Sequence, residues 1–210
     1  MKIKRVTNLS VYLFVFSGAV FFLGEKNWWP SFYEPNFFGA VFLASALLVM
    51  LPGMIFKTSD ENKKNMVNLV TLTVAIAVIL NALGQVYLFQ LYKYGFPYDK
   101  IIHFVLPFLF VIVLAFFLEA WYGLPIKKAI KKSVIYIFIG CLLWEVYEFG
   151  VDAIFKTTEA GIYGQQKLKD TSFDILLDIA GIALASYFFY SPRLFKKIES
   201  YFRHPMREIK

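Results

Sequence analysis

Six long stretches of nearly unbroken apolar residues, separated by short polar segments, set the pattern of this 210-residue chain. They fall at about residues 7–24, 37–56, 66–91, 99–121, 134–155 and 172–190. Each approaches or exceeds the roughly 18–20 residues that a helix needs to cross a ~30 Å hydrocarbon core. The pattern predicts an all-α fold, a polytopic membrane bundle of about six transmembrane helices forming a single integral domain over residues 1–210. After Ser191-Pro192, which read as an N-cap and first helical residue, the pattern changes. Leu194, Phe195, Ile198 and Phe202 recur at helical spacing among basic residues. That predicts an amphipathic helix over 192–204 lying on the membrane surface.

Composition agrees with a membrane class. The chain is 59% hydrophobic, 20% aromatic and only 18% charged, with a mean hydropathy of +0.58, whereas a soluble domain of this size needs a more polar surface. The first apolar run follows three cations and contains Ser17-Gly18-Ala19, a passable cleavage site. Val-Phe-Phe-Leu follows at once, so the run is read as an uncleaved span. Asn27 to Asn36, with Trp28, Trp29, Pro30, Tyr33 and Pro35, suits the aromatic belt of a membrane interface. The lone Cys141 lies within a span and excludes an intramolecular disulfide.

The net charge of +7 does not point to nucleic acid, because the cations sit in short loops beside the apolar runs. The expected partners are membrane lipids, with the basic C-terminal helix on anionic inner-leaflet lipids. Six spans place both termini on one side. That side carries 16 of the 22 Lys and Arg residues, including all four arginines, against 6 on the other. By the positive-inside rule both termini are cytoplasmic, and the expected location is a multi-pass cell membrane of the bacterial inner or plasma type.

Within this apolar pattern, Trp144 to Asp152 is anomalous. It carries three carboxylates, each costing roughly 2.5–3.5 kcal/mol at bilayer depth on insertion scales. Spacings of three and four put Glu145, Glu148 and Asp152 on one face of span five, in its outer half. Span six brings Asp170, Asp174 and Asp178 inward as a second column. Span four starts on the outside with Asp99 and Lys100, and His103 lies one turn, about 6 Å, deeper. Asn81 and Gln85, one turn apart in the outer half of span three, read as supporting polar groups. Trp144 is too deep for the aromatic belt and is expected to give its indole N–H to a carboxylate. Seven of the 15 acidic residues thus converge on the outer leaflet.

Plainer readings stand beside this one. Asp99, just after Pro97-Tyr98, can serve simply as a helix cap, and Thr171-Ser-Phe-Asp174 matches a capping box. Asp152 fits an ordinary interface position, and a solitary His103 would be an ordinary hydrogen-bonded histidine. Glu145, Glu148 and Asp178 have no such account, since each sits about two turns or more inside its span. Shared protons, Lys100 or a bound cation can balance so many carboxylates. Oxygen ligands with one imidazole suit Mg²⁺, Mn²⁺, Fe²⁺ or Zn²⁺.

Three motifs together, Tyr98-Asp99-Lys100-x-x-His103, Trp144-Glu145-x-x-Glu148-x-x-x-Asp152 and Asp170-Thr171-x-x-Asp174-x-x-x-Asp178-x-x-Gly181, resemble the YjdF-type family of bacterial inner-membrane proteins. The resemblance covers residues 66–190 and implies a small polytopic protein without an established activity. A more distant similarity to VanZ-like proteins departs at Glu145, Glu148 and Asp178 and implies no residue roles.

Three functions remain open. A metal-dependent hydrolase or transferase would act on a lipid or cell-envelope intermediate at the outer leaflet. In that reading Asp99, His103, Glu148, Asp170, Asp174 and Asp178 are the expected ligand set, and Glu145, Asp152 and Lys100 are left for catalysis. A proton- or cation-coupled transporter would use the acids as a relay, and a non-catalytic protein would use them to knit helices together. The inner halves of the spans offer Ser45, Thr71, Thr73 and little else, which favours a one-sided site. The orientation is checked by reporter fusions: fluorescent protein at the C-terminus should fold and fluoresce, and alkaline phosphatase there should stay inactive.

Overall fold

In the computed structural model, residues 2–24, 35–86, 88–155 and 167–196 are described. They form six long helices: α1 (Lys2–Leu23), α2 (Pro35–Ile55), α3 (Glu61–Val86), α4 (Tyr98–Tyr122), α5 (Ile126–Phe155) and α6 (Lys167–Tyr190). A 3-10 segment, Leu88–Tyr94, precedes α4. All six helices are long and apolar enough to cross a membrane, as the hydropathy pattern predicts, and the chain is a polytopic helical bundle. The expected aromatic belt at Asn27 to Asn36 lies mostly outside the described residues, as do the α5–α6 loop and the tail beyond residue 196.

The helices group into two compact units, residues 1–87 and 88–210. In the first, α1 packs along α2, and α3 lies against both. Phe14, Phe21, Phe42 and Ala46 are its buried core, with Phe21 stacked on Phe42 at 5.5 Å between ring centres. Glycines allow the close crossing of α1 and α2. A Cβ on Gly18 would stand 2.8 Å from Leu43 Cγ and 3.1 Å from the Gly39 carbonyl oxygen, the small-residue contact common between membrane helices. Helix α3 starts at Glu61, ahead of the apolar run expected from Met66. Asp60 Oδ1 accepts from the backbone N–H groups of Asn62 (2.8 Å) and Lys63 (3.1 Å), so a polar first turn is capped before the apolar part begins.

The second unit is arranged around α4. This helix packs on α6 and α5 and buries residues on every side, Val111, Ala115 and Phe116 among them, as a helix that is apolar all round must. It starts after Pro97 and stops at Gly123, whose left-handed φ of 64° lets its N–H reach the Glu119 carbonyl at 2.9 Å. Helix α5 begins at Ile126, well before the apolar run expected from residue 134. Lys127, Lys128, Lys131 and Lys132 stay exposed while Ala129, Ile130 and Ser133 are buried, so an amphipathic turn leads into the span.

Helix α6 begins at Lys167, which overturns the capping-box reading: Thr171 and Asp174 lie inside the helix, not at its start. The cap reading of Asp99 also fails, because Pro97 holds the N-cap position and no side chain caps it. Beyond α6, Phe195 N–H bonds the Ser191 carbonyl at 2.8 Å, and the Phe195 ring lies nearly parallel to that of Phe116, at 10° and 6.4 Å. The described start of the expected amphipathic helix therefore packs on α4.

Where α4 and α6 cross, Gly181 is essential. A Cβ there would collide with the Phe104 carbonyl oxygen and come within 3.3 Å of the Phe108 nitrogen. These two contacts bracket the turn that follows His103 and contains Pro107, which has no N–H to donate to the His103 carbonyl. Gly181→Ala should therefore cost about 1–3 kcal/mol through overpacking. Gly140→Ala, which meets open space, should be neutral or stabilise by up to ~1 kcal/mol. Thermal unfolding of both variants in detergent checks the pair.

Candidate cation site on helices α4 to α6

The second unit brings the acidic columns of α5 and α6 against the first turns of α4. Glu145, Asp152, Asp170, Asp174, Asp178 and His103 are all buried. The α4–α6 crossing at Gly181 lies three residues past Asp178, and it holds that carboxylate 3.2 Å from His103 Nδ1. Glu145 Oε1, arriving from α5, is 3.8 Å from the same nitrogen. The other ring nitrogen, Nε2, faces Asp99 Oδ1 at 3.7 Å. His103 thus stands between two sets of acids, one on each ring edge.

Lys100 holds the end of the cluster nearest the start of α4. Its Nζ donates to Asp99 Oδ2 at 2.9 Å, to Asp170 Oδ1 at 2.6 Å, and to Asp174 Oδ1 and Oδ2 at 2.7 and 2.8 Å. An ammonium has three protons and no acceptor, so these contacts use it up. The sequence reading left Lys100 for catalysis; the structure surrounds it with three carboxylates. Phe89, Tyr92, Pro97 and Tyr98 line a small recess above Asp99, Lys100 and Asp170.

Among the described residues, two groups have the spacing of ligands to one ion. Asp99, His103 and Asp174 form one, and His103, Glu145 and Asp178 the other, with the ligand atoms of each within 4.8 Å of one another. Glu145 is the unusual member. It is 4% exposed, yet among the described residues neither of its carboxylate oxygens has a hydrogen-bond partner. The neighbouring Thr171 hydroxyl is buried and likewise without a hydrogen-bond partner among the described residues. A buried carboxylate left without donors is strongly disfavoured unless a positive charge or a proton meets it.

The remaining expected residues take other places. Trp144 Nε1 donates to Glu148 Oε1 at 2.8 Å, a carboxylate partner as the sequence predicts, although Trp144 is 40% exposed. Glu148, Asp152 and Asp170 belong to neither tight group. Asn81 and Gln85 lie on α3 in the first unit, whereas the cluster is built from α4, α5 and α6. Cys141, one turn before Glu145, lies within electrostatic reach of Asp178 and Glu145. Sequence reading did not assign it to the cluster, although its i−4 spacing from Glu145 was a usable signal.

Among families of known sequence pattern, the one described as predicted membrane protein (DUF2238) matches residues 7–193. That agrees with the resemblance to YjdF-type membrane proteins, and nothing that matches carries the similarity to VanZ-like proteins. No curated protein and no solved structure matches the chain.

The geometry ranks the acids around Lys100. Asp174 gives both oxygens, so Asp174→Asn should destabilise the fold more than Asp99→Asn. Breaking a buried pair costs about 3–5 kcal/mol; the more exposed Asp99 should cost less. A double-mutant cycle of Lys100 with each acid, read by unfolding in detergent, measures the order.

Proposed function

The chain belongs to the DUF2238 family of predicted membrane proteins, and from that premise we propose that its α4–α6 cluster binds a divalent cation. We further propose that it serves as a metal-dependent hydrolase or transferase acting on a lipid or cell-envelope intermediate. The single observation behind this reading is Glu145, a buried carboxylate with no hydrogen-bond partner among the described residues, its Oε1 3.8 Å from the His103 imidazole. A cation shared with His103 and Asp178 satisfies it.

The spacing fits such an ion. Bonds of about 2.1 Å in an octahedral site put ligand atoms roughly 3.0 Å apart when adjacent and 4.2 Å when opposite. His103 Nδ1 lies 3.2 Å from Asp178 Oδ1 and 3.8 Å from Glu145 Oε1. One nitrogen with carboxylate oxygens suits Mg²⁺, Mn²⁺, Fe²⁺ or Zn²⁺. Asp99, facing the far nitrogen of His103, would orient the ring, a common role for a carboxylate behind a ligating histidine.

When bound, an ion of this kind supplies Lewis-acid polarisation of an ester or phosphoryl oxygen. The chain's own groups would do the rest. Glu148, steadied by the Trp144 indole, and buried Asp152 are the carboxylates left to move protons. Glu145 then acts as a ligand and not as the acid–base group expected from sequence. The positive-inside count puts the cluster near the outer face. Beyond it α4 is lined by buried Val111, Ile112, Ala115, Phe116 and Leu118, which supports access from one side over a conduit.

Metal analysis of the detergent-purified protein tests the reading. Wild type reconstituted with Mn²⁺ should hold about one ion per chain, with an electron paramagnetic resonance spectrum of a bound ion. Folded Glu145→Gln, His103→Ala and Asp178→Asn should each lose it. A wild type that stays metal-free after reconstitution overturns the assignment. Full metal retention in all three variants does the same.

A further inference from the structure

The two ligand groups share His103, but only one of them is open. Asp99 and Asp174, which complete the second group with His103, already surround the Lys100 ammonium at 2.7–2.9 Å, with Asp170 at 2.6 Å. Both oxygens of Asp174 and one of Asp99, Oδ2, hold a lysine instead, while Asp99 Oδ1 faces His103. We propose that Lys100 is a tethered cation occupying the second ion position of the cluster, so that the site takes one divalent ion, at His103, Glu145 and Asp178, and excludes another. This rests on the preceding reading for the first ion only.

Three observations converge on this role. Every proton of the ammonium is engaged by acids from α4 and α6, so Lys100 cannot reach out to an anionic substrate without leaving carboxylates bare. An ammonium and a divalent ion cannot share the same oxygens, because at such separations like charges in a poorly screened interior repel strongly. The covalent tether makes the occupancy permanent, since a cation built into the chain competes at a high effective concentration. His103 sits between the positions, with Nδ1 facing Glu145 and Asp178 and Nε2 facing Asp99. Lys100 is in this sense the residue that sets ion number.

The test is Mn²⁺ stoichiometry of the full-length protein in detergent, measured by equilibrium dialysis with metal analysis and paramagnetic resonance. Lys100→Met should bind twice as much Mn²⁺ as wild type, with the spin-coupled spectrum of neighbouring ions. Lys100→Arg, which keeps the charge, should stay at the wild-type ratio, and Lys100→Met combined with Glu145→Gln should fall back to one ion. If Lys100→Met is too unstable to purify, Lys100→Met with Asp170→Asn removes a charge of each sign and leaves Asp99, His103 and Asp174 intact. It should also bind twice the wild-type amount.

A folded Lys100→Met that binds no more Mn²⁺ than wild type overturns the inference while leaving the single-ion reading standing. A wild type that binds none, beside a Lys100→Met that binds one, upholds the lysine's role and sinks the single-ion reading.

Discussion

A half-buried lysine ammonium held among three carboxylates is the interaction on which the second unit turns. Asp99 and Lys100 come from the first turn of α4, and Asp170 and Asp174 from the first two turns of α6. None of these groups tolerates a poorly solvated setting by itself, since each would be an uncompensated charge. Together they fix the rotation of α4 against α6, because a helix turned by one residue would move its charges about 100° from their partners.

That electrostatic tie works only because the backbones come close enough. Gly181 lets α6 rest on the Phe104 carbonyl, and Pro107 releases the His103 carbonyl from the helical ladder at the same level. The crossing therefore lies one turn below the imidazole. It brings Asp178 to His103, and α5 then closes the third side with Glu145. The order of causes runs from small residues to helix spacing, from spacing to the approach of charged side chains, and from that approach to a cluster in which, among the described residues, the Glu145 carboxylate lacks a hydrogen-bond partner.

Glu145 is the member that helix-to-helix pairing does not account for. Structural networks in membranes satisfy their polar groups with each other, and Lys100 with its three acids is such a network. Glu145 is not part of it. One cluster thus contains a closed half, which holds the bundle together, and an open half with ligand spacing. That division gives the plainer structural reading of the acids to the residues around Lys100 and leaves the proposed cation to Glu145 and its neighbours.

Much of this was legible in the order of residues. Long apolar runs dictate membrane helices because lipid satisfies no backbone polar group, and six such runs with short loops leave little choice of class. The 3.6-residue period also places Glu145, Glu148 and Asp152 on one face and Asp170, Asp174 and Asp178 on another. Helix ends were less legible, because hydropathy does not register polar first turns such as Asn62 to Lys64, Lys127 to Lys132 or Lys167 to Asp170. Those turns decided that Asp174 is no cap. Which acids meet which cation lay wholly beyond the linear pattern, since Lys100 and Asp170 are 70 positions apart and periodicity within a helix says nothing about its rotation against a neighbour. Only the tertiary structure, through the Gly181 crossing, decided that Lys100 is enclosed, that His103 faces both ways and that Glu145 is left open.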